Sequence, residues 1–159
     1  MRDLKEIILA GTGGQGLGLV GQLLAQSFAE EEGKNVIQTE AYGISMRGGH
    51  SRAEVLVSSE EINELKVTEP DIFLAMSQDK VLKGAKCKVY SLPLTEEARN
   101  LGRENVANVI GLGALASISG VISGTSLQNT LKKRFSGAIF ELNLEAFSKG
   151  FEMGQQQEF

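Results

Sequence analysis

The spacing of hydrophobic and polar positions predicts strands that alternate with helices. An apolar run at residues 6–10 ends in a glycine-rich segment, and an amphipathic stretch follows at residues 17–32, which is the order strand, loop, helix. Further runs predict strands at residues 35–40, 51–58, 71–76 and 88–92, and helices at residues 95–103, 108–122 and 125–134. This alternation predicts one α/β domain over residues 1–159, with a three-layer open sheet that is mostly parallel and carries helices on both faces.

Small residues recur on two of the predicted helices. Gly14, Gly18, Gly21 and Ala25 follow one another at helical spacing, and the stretch 108–122 is rich in glycine, alanine and serine and carries no charge. Each helical glycine costs about 1 kcal/mol relative to alanine, so both patterns predict close packing against the sheet or against a neighbouring chain.

Two helix starts are predicted from capping residues. Thr125, with Gln128 three residues later, matches a capping box, and we expect Asn143 to cap a final helix that runs toward Phe151.

Composition and charge narrow the function classes. The 159 residues carry a net charge of −4, which argues against a nucleic-acid-binding surface, and the one basic cluster, residues 132–134, closes a predicted helix, where cations complement the helix dipole. The single cysteine, Cys87, excludes an intrachain disulfide, a four-cysteine zinc site and an iron–sulfur cluster ligated by this chain alone. No apolar run approaches the roughly 18 residues that span a bilayer, so we expect a cytoplasmic protein that does not associate with membranes.

The first glycine loop leaves three alternatives open. Gly11, Gly13 and Gly16 fit the G-x-G-x-x-G fingerprint between a strand and a helix, and Glu40 stands near the position of a ribose-binding carboxylate. A nicotinamide or flavin site is therefore one interpretation. A site for another anion or cofactor edge and a purely structural turn are the others, because amides at any helix amino terminus attract anions. A P-loop is excluded, since Leu17 follows Gly16 where that motif requires lysine.

A second glycine-rich segment, residues 41–50, strengthens the anion interpretation. Arg47 and Arg52 flank the sequence Gly-Gly-His-Ser at residues 48–51, so guanidinium groups and backbone amides can converge on one anion. A solvated hairpin turn is the alternative. His50 and Ser51 are neighbours on an extended chain and point to opposite faces, so they do not form a nucleophilic relay, and we predict neither a catalytic residue nor a metal ligand in this chain.

Taken together, four segments resemble the γ subunits of 2-oxoacid:ferredoxin oxidoreductases: Gly-Thr-Gly-Gly-Gln-Gly at 11–16, Gln-Thr-Glu-Ala-Tyr-Gly at 38–43, Met-Arg-Gly-Gly-His-Ser-Arg-Ala-Glu-Val at 46–55 and Val-Thr-Glu-Pro-Asp-Ile at 67–72. The loop around residues 42–49 is more similar to the 2-oxoglutarate and branched-chain types than to the pyruvate type. The resemblance implies a cofactor-handling site made of Gly11, Gly13, Gly14, Gln15, Gly16, Tyr42, Arg47, Gly48, Gly49 and Ser51.

The resemblance also implies an assembly that oxidatively decarboxylates a 2-oxoacid, for which 2-oxoglutarate is favoured, to an acyl-coenzyme A. Thiamine diphosphate with Mg²⁺ and the iron–sulfur clusters are expected on partner subunits, namely a thiamine-diphosphate subunit and a ferredoxin-like subunit. This chain would close the active site and position coenzyme A, would be inactive alone, and would self-associate when isolated. A free-standing dinucleotide-binding module and a non-catalytic assembly subunit remain the alternatives.

Overall fold

A computed structural model describes residues 3–12, 16–42, 50–76 and 87–157. The strands of the sheet are β1 (Lys5–Thr12), β2 (Asn35–Tyr42), β3 (His50–Ser58), β4 (Ile72–Ala75) and β5 (Lys88–Ser91), in the spatial order β2-β3-β1-β4-β5. β1 pairs in parallel with β4, and β4 with β5, whereas β3 is antiparallel to both β1 and β2. Within the described residues β3 is thus the one reversed strand of a mixed, open sheet.

The helices are α1 (Leu17–Gln26), α2 (Leu94–Asn100), α3 (Ala107–Ser119), α4 (Gly124–Arg134) and α5 (Gly137–Gln155). A π-helical turn, Ser27–Glu31, extends α1, and a 3₁₀ turn, Glu104–Val106, leads into α3. Across the described ranges, none of the helices combines the length and apolar character needed to span a bilayer.

The main core lies on one face of the sheet. It contains side chains from all five helices together with alternate residues of the strands, for example Ile7 and Leu9 of β1 and Val55 of β3. α3 is buried along residues 107–116, with Met76, the residue after β4, on one side and α5 on the other. The prediction of a single α/β domain with one open sheet is confirmed. Helices on both faces of the sheet were also predicted, but in the described part of the chain all five helices lie on the side of the main core, where α5 packs on α3 as the third layer.

The small residues of α3 and α5 bring two helix backbones into contact. A methyl group built on Gly150 would lie 1.8 Å from the carbonyl oxygen of Ile110, and one built on Gly113 would lie 2.1 Å from that of Phe147. On α1, Gly18 and Gly21 pack against side chains of the sheet, namely those of Glu40 and Ala53. The predicted close packing is thus found at both helices, whereas Gly14 lies outside the described residues.

The opposite face of the sheet carries two buried carboxylates. Glu6 of β1 is fully buried and accepts hydrogen bonds from the backbone N–H groups of Thr68 (3.0 Å) and Glu69 (2.6 Å). Glu54 of β3 is 4% exposed and accepts one from the N–H of Val67 (2.9 Å). Since buried charge must find partners, these bonds tie residues 67–69 to the sheet and explain why acidic residues stand at strand positions that face away from the helices.

Both predicted helix caps are wrong. α4 begins two residues earlier, where the Ser123 hydroxyl accepts a hydrogen bond from the Thr125 N–H at 3.2 Å, because a serine that precedes the helix occupies the capping position. Asn143 lies inside α5, and its amide donates to the carbonyl of Ile139 at 2.8 Å, one turn earlier.

The basic end of α4 has a structural partner. Lys133 forms ion pairs with Glu31 at 2.6 Å and with Glu30 at 3.2 Å, both on the π-helical turn. At the other end of α4, Glu32 accepts hydrogen bonds from the Ser123 N–H and the Ser126 hydroxyl. The acidic residues that end the first helical segment therefore dock α4 along its length, which agrees with the structural role predicted for the basic cluster.

Candidate functional site

Three residues of the predicted site lie side by side on three strands. Gly11 of β1 pairs with Ser51 of β3, which in turn pairs with Tyr42 of β2. Neighbouring strands are about 4.8 Å apart, so this row spans about 10 Å. Because β3 is antiparallel to both neighbours, its first residues lie at the carboxyl ends of β1 and β2. Register therefore brings the starting points of both glycine-rich segments to one edge of the sheet.

This edge is also where the chain changes direction across the sheet. β1 has β3 on one side and β4 on the other, and Ala10 of β1 pairs with Ala75 near the end of β4. The Met76 N–H donates to the Ala10 carbonyl at 2.8 Å, which extends the contact beyond the strand. In open α/β sheets, ligands bind in the crevice outside the carboxyl ends of the strands at such a switch point.

The first turn of α1 begins directly at this edge. Gly16 precedes the helix with a left-handed φ of 70°, and neither a capping side chain nor an acidic residue of the first turn occupies the described start of α1. The first N–H groups of a helix have no partner within the helix, and they carry the positive end of its dipole. This geometry suits an anionic ligand.

Four of the ten predicted site residues lie in the described part of the chain. Gly11 is buried in β1, Gly16 is exposed at the start of α1, Tyr42 ends β2, and Ser51 is 7% exposed on the helix-bearing face of β3. The other six lie outside the described residues, namely Gly13, Gly14, Gln15, Arg47, Gly48 and Gly49. The arrangement of these six within the site stays a prediction.

Arg52 has a different partner from the one that its spacing suggested. It lies on the face opposite Ser51, where its guanidinium forms a 2.8 Å ion pair with the buried carboxylate of Glu54. Glu54 thus neutralises the charge of Arg52, which the sequence analysis had paired with Arg47 around an anion. In the structure Arg52 is the ion-pair partner of the buried Glu54 carboxylate.

The sheet order argues against the dinucleotide alternative. A dinucleotide-binding sheet places its second strand directly beside the first, so that an acidic residue at its end reaches the ribose. Here β3 separates β2 from β1. Glu40 instead lies against α1, where a methyl group on Gly18 would sit 2.6 Å from Glu40 Oε1, and it accepts a hydrogen bond from Gln38 at 3.3 Å.

One buried polar residue at this edge was not predicted. Asn108, at the start of α3, donates from Nδ2 to the Gly16 carbonyl at 3.2 Å. The available signal was an amide side chain at the head of an otherwise apolar, uncharged stretch. Among the residues that the structure describes, no three His, Cys, Asp or Glu side chains gather as metal ligands.

Comparison with known proteins identifies the family. The model of the pyruvate ferredoxin/flavodoxin oxidoreductase family matches residues 6–86 and 79–153. The chain belongs to this family. The family member KorC, a 2-oxoglutarate synthase subunit of Methanocaldococcus jannaschii, is 33% identical over 96% of this chain and 95% of its own length. PorC, a pyruvate synthase subunit of Methanothermobacter marburgensis, is 29% identical over 92% of this chain and 96% of its own.

A solved structure from the same family has the same fold. The γ subunit of a keto/oxoacid ferredoxin oxidoreductase from Geobacter sulfurreducens superposes with a TM-score of 0.82 at 31% identity, over 96% of this chain and 97% of that one. The predicted resemblance is thereby confirmed. This member of the oxidoreductase family is a subunit of a 2-oxoacid:ferredoxin oxidoreductase.

Proposed function

We propose that this subunit forms one wall of the active site of a 2-oxoglutarate:ferredoxin oxidoreductase and positions coenzyme A there. The row formed by Gly11, Ser51 and Tyr42 carries the proposal, because it anchors two glycine-rich segments at one edge of the sheet. Glycines let a backbone approach a ligand closely, so this edge suits a large, phosphate-bearing cofactor.

Charge supports an anion as the ligand. The first amides of α1, which have no acceptor within the helix, attract phosphate, and Arg47 of the second glycine-rich segment can add a bidentate contact. Coenzyme A carries several phosphate oxygens, whereas a 2-oxoacid carries only small carboxylates. An anion site of this extent therefore favours coenzyme A over the 2-oxoacid.

The proposed substrate follows from similarity. KorC, the 2-oxoglutarate synthase subunit, matches this chain at 33% identity, compared with 29% for the pyruvate synthase subunit PorC. The segment at residues 42–49 supports the same choice, because it resembles the 2-oxoglutarate and branched-chain types. We therefore propose 2-oxoglutarate as the acid that the complex oxidises and ferredoxin as the acceptor.

The redox and carbanion chemistry would belong to partner subunits. One cysteine cannot ligate an iron–sulfur cluster alone, and Cys87 lies half-buried before β5. In the proposed complex, other chains would hold thiamine diphosphate with Mg²⁺ and the iron–sulfur clusters, and these groups would supply the chemistry of decarboxylation and of electron transfer. This subunit would bind and orient coenzyme A and would exclude water from the active site.

The test is Arg47→Ala in the reconstituted complex. Loss of a hydrogen bond to a charged group costs about 1.5–3 kcal/mol, so the KM for coenzyme A should rise about 10- to 150-fold while the KM for 2-oxoglutarate stays unchanged. Arg134→Ala, at the exposed end of α4, is the matched control and should leave both constants unaltered. A rise in the KM for 2-oxoglutarate alone would assign the anion site to the substrate carboxylate, and unchanged kinetics would refute the site.

A further inference from the structure

Asn108 is a buried amide at the meeting point of two helices. It is 4% exposed, it is the second residue of α3, and it lies 92 positions from Gly16 in the sequence. A buried amide needs partners for both its donor and its acceptor, so its contacts fix its orientation.

Both ends of this amide are engaged. Nδ2 donates to the Gly16 carbonyl at 3.2 Å, and Oδ1 accepts from the N–H of Val109 at 2.8 Å. The Gly16 carbonyl also accepts the N–H of Val20 at 3.2 Å, which is the first helical hydrogen bond of α1. One carbonyl thus joins the start of α1 to the start of α3.

Sterics make the fit specific to glycine. Gly16 has a φ of 70°, and a methyl group there would lie 2.5 Å from Asn108 Nδ2. Position 16 therefore excludes a side chain for two independent reasons, the left-handed backbone and the amide beneath it. The exposed end of the glycine loop rests directly on a buried side chain.

We propose that Asn108 is a positioning residue for the anion site: by holding the Gly16 carbonyl it sets the orientation in which the first-turn amides of α1 meet the ligand. The inference rests on the proposed function, since it takes a phosphate of coenzyme A as that ligand. Asn108 itself contacts the loop and acts on the ligand only through it. Preorganised amides bind more tightly than amides that must be ordered on binding, so the loop's geometry determines affinity.

The experiment compares variants that separate the two roles of this amide. Asn108→Ala removes both bonds, whereas Asn108→Asp keeps the acceptor for Val109 and turns a carboxylate oxygen toward the Gly16 carbonyl. Asn143→Ala is the matched control, because Asn143 is also a buried asparagine whose amide donates to a backbone carbonyl, but within α5. All are assayed in the reconstituted complex well below the melting temperature.

We expect both Asn108 variants to raise the KM for coenzyme A about five- to tenfold, the equivalent of one neutral hydrogen bond, and to leave the KM for 2-oxoglutarate unchanged. The Asn143→Ala control should alter neither constant. Hydrogen exchange on the free chain gives a readout independent of partners and of folding yield: the Val20 N–H, which donates to the Gly16 carbonyl, should exchange at least fivefold faster in Asn108→Ala than in Asn143→Ala.

The outcomes separate this inference from the proposed function. If Arg47→Ala raises the KM for coenzyme A and the Asn108 variants only lower the melting temperature, as Asn143→Ala does, Asn108 is structural and the inference is wrong. If neither substitution changes that KM, the proposed site fails and the inference fails with it. Equal exchange of the Val20 N–H in the two asparagine variants would show that Asn108 does not hold the Gly16 carbonyl in place.

Discussion

The contact between α3 and α5 allows a sharp test at Gly113. An alanine there would place a methyl group 2.1 Å from the Phe147 carbonyl oxygen and 2.9 Å from the Phe151 nitrogen, both backbone atoms of α5. Carbon–oxygen contacts are normally about 3.3 Å or longer, so the helices must separate by about 1 Å where they cross. α3 is buried between the sheet and α5 and has no free side toward which to move.

The change in the free energy of unfolding that Gly113→Ala causes follows from two opposing effects. Alanine gains about 1 kcal/mol over glycine in a helix, whereas overpacking a rigid core typically costs 1–3 kcal/mol and more where backbone must move. We expect Gly113→Ala to lower the free energy of unfolding by about 2 kcal/mol. For a chain of this size that corresponds to a fall of about 4–8 °C in melting temperature, measured by circular dichroism.

Gly111→Ala is the matched control in the same helix. Its methyl group would meet the Met76 sulfur at 2.9 Å and the Leu94 Cδ1 at 3.1 Å, and both are ends of flexible side chains that can shift. The gain in helix propensity should offset that small rearrangement, and its stability should stay within about 1 kcal/mol of the unmodified chain. Equal stability of the two variants would refute the backbone contact.

Three further predictions concern single groups and the isolated chain. Ser27 Oγ is buried at the start of the π-helical turn without a hydrogen-bond partner in the part of the chain that the structure describes, so Ser27→Ala should raise the free energy of unfolding by about 1 kcal/mol; a loss in urea unfolding would contradict this. The Lys133 ammonium, and then the Asn129 amide, hold the pKa of Glu31 below 4.5, so its contribution to stability is complete above about pH 4.5 and is lost as the pH falls through the lowered pKa. In Lys133→Gln that pKa should move back toward 4.5 in an NMR titration, and an unchanged value would show that the pair does not form. The isolated chain should show no 2-oxoacid oxidation and no micromolar binding of NAD or FAD by calorimetry, whereas binding that Glu40→Ala weakens would restore the dinucleotide alternative.

Local sequence patterns predicted where the strands and helices lie in the chain better than which of them lie side by side in the fold. The runs at residues 51–58 and 71–76 predicted β3 and β4 to within a residue at each end. The reversal of β3 between β1 and β2 was not predictable, because pairing partners are set by contacts far apart in sequence. Caps were misplaced for a related reason, since Ser123 and Thr125 satisfy the same local rule and only the backbone decides between them.

The candidate site shows the same division. Glycine spacing and Arg47 led to the prediction of an anionic ligand, which stays a prediction. They could not show that Gly11, Ser51 and Tyr42 form one row, because register belongs to the folded sheet. Asn108 escaped prediction because its partner lies on another helix, 92 residues away.

The reversed strand also makes the site dependent on the pairing register of β3. β3 pairs with β1 and β2 at once, so a slip of one residue in either ladder would move Ser51 out of line with its neighbours and transfer every side chain of β3 to the other face. Glu54 would then point into the apolar core under the helices, away from the Val67 N–H from which it now accepts a hydrogen bond. Burying that carboxylate without a partner would cost free energy and so disfavours the slipped register. A carboxylate remote from the ligand therefore helps to keep the two loops aligned.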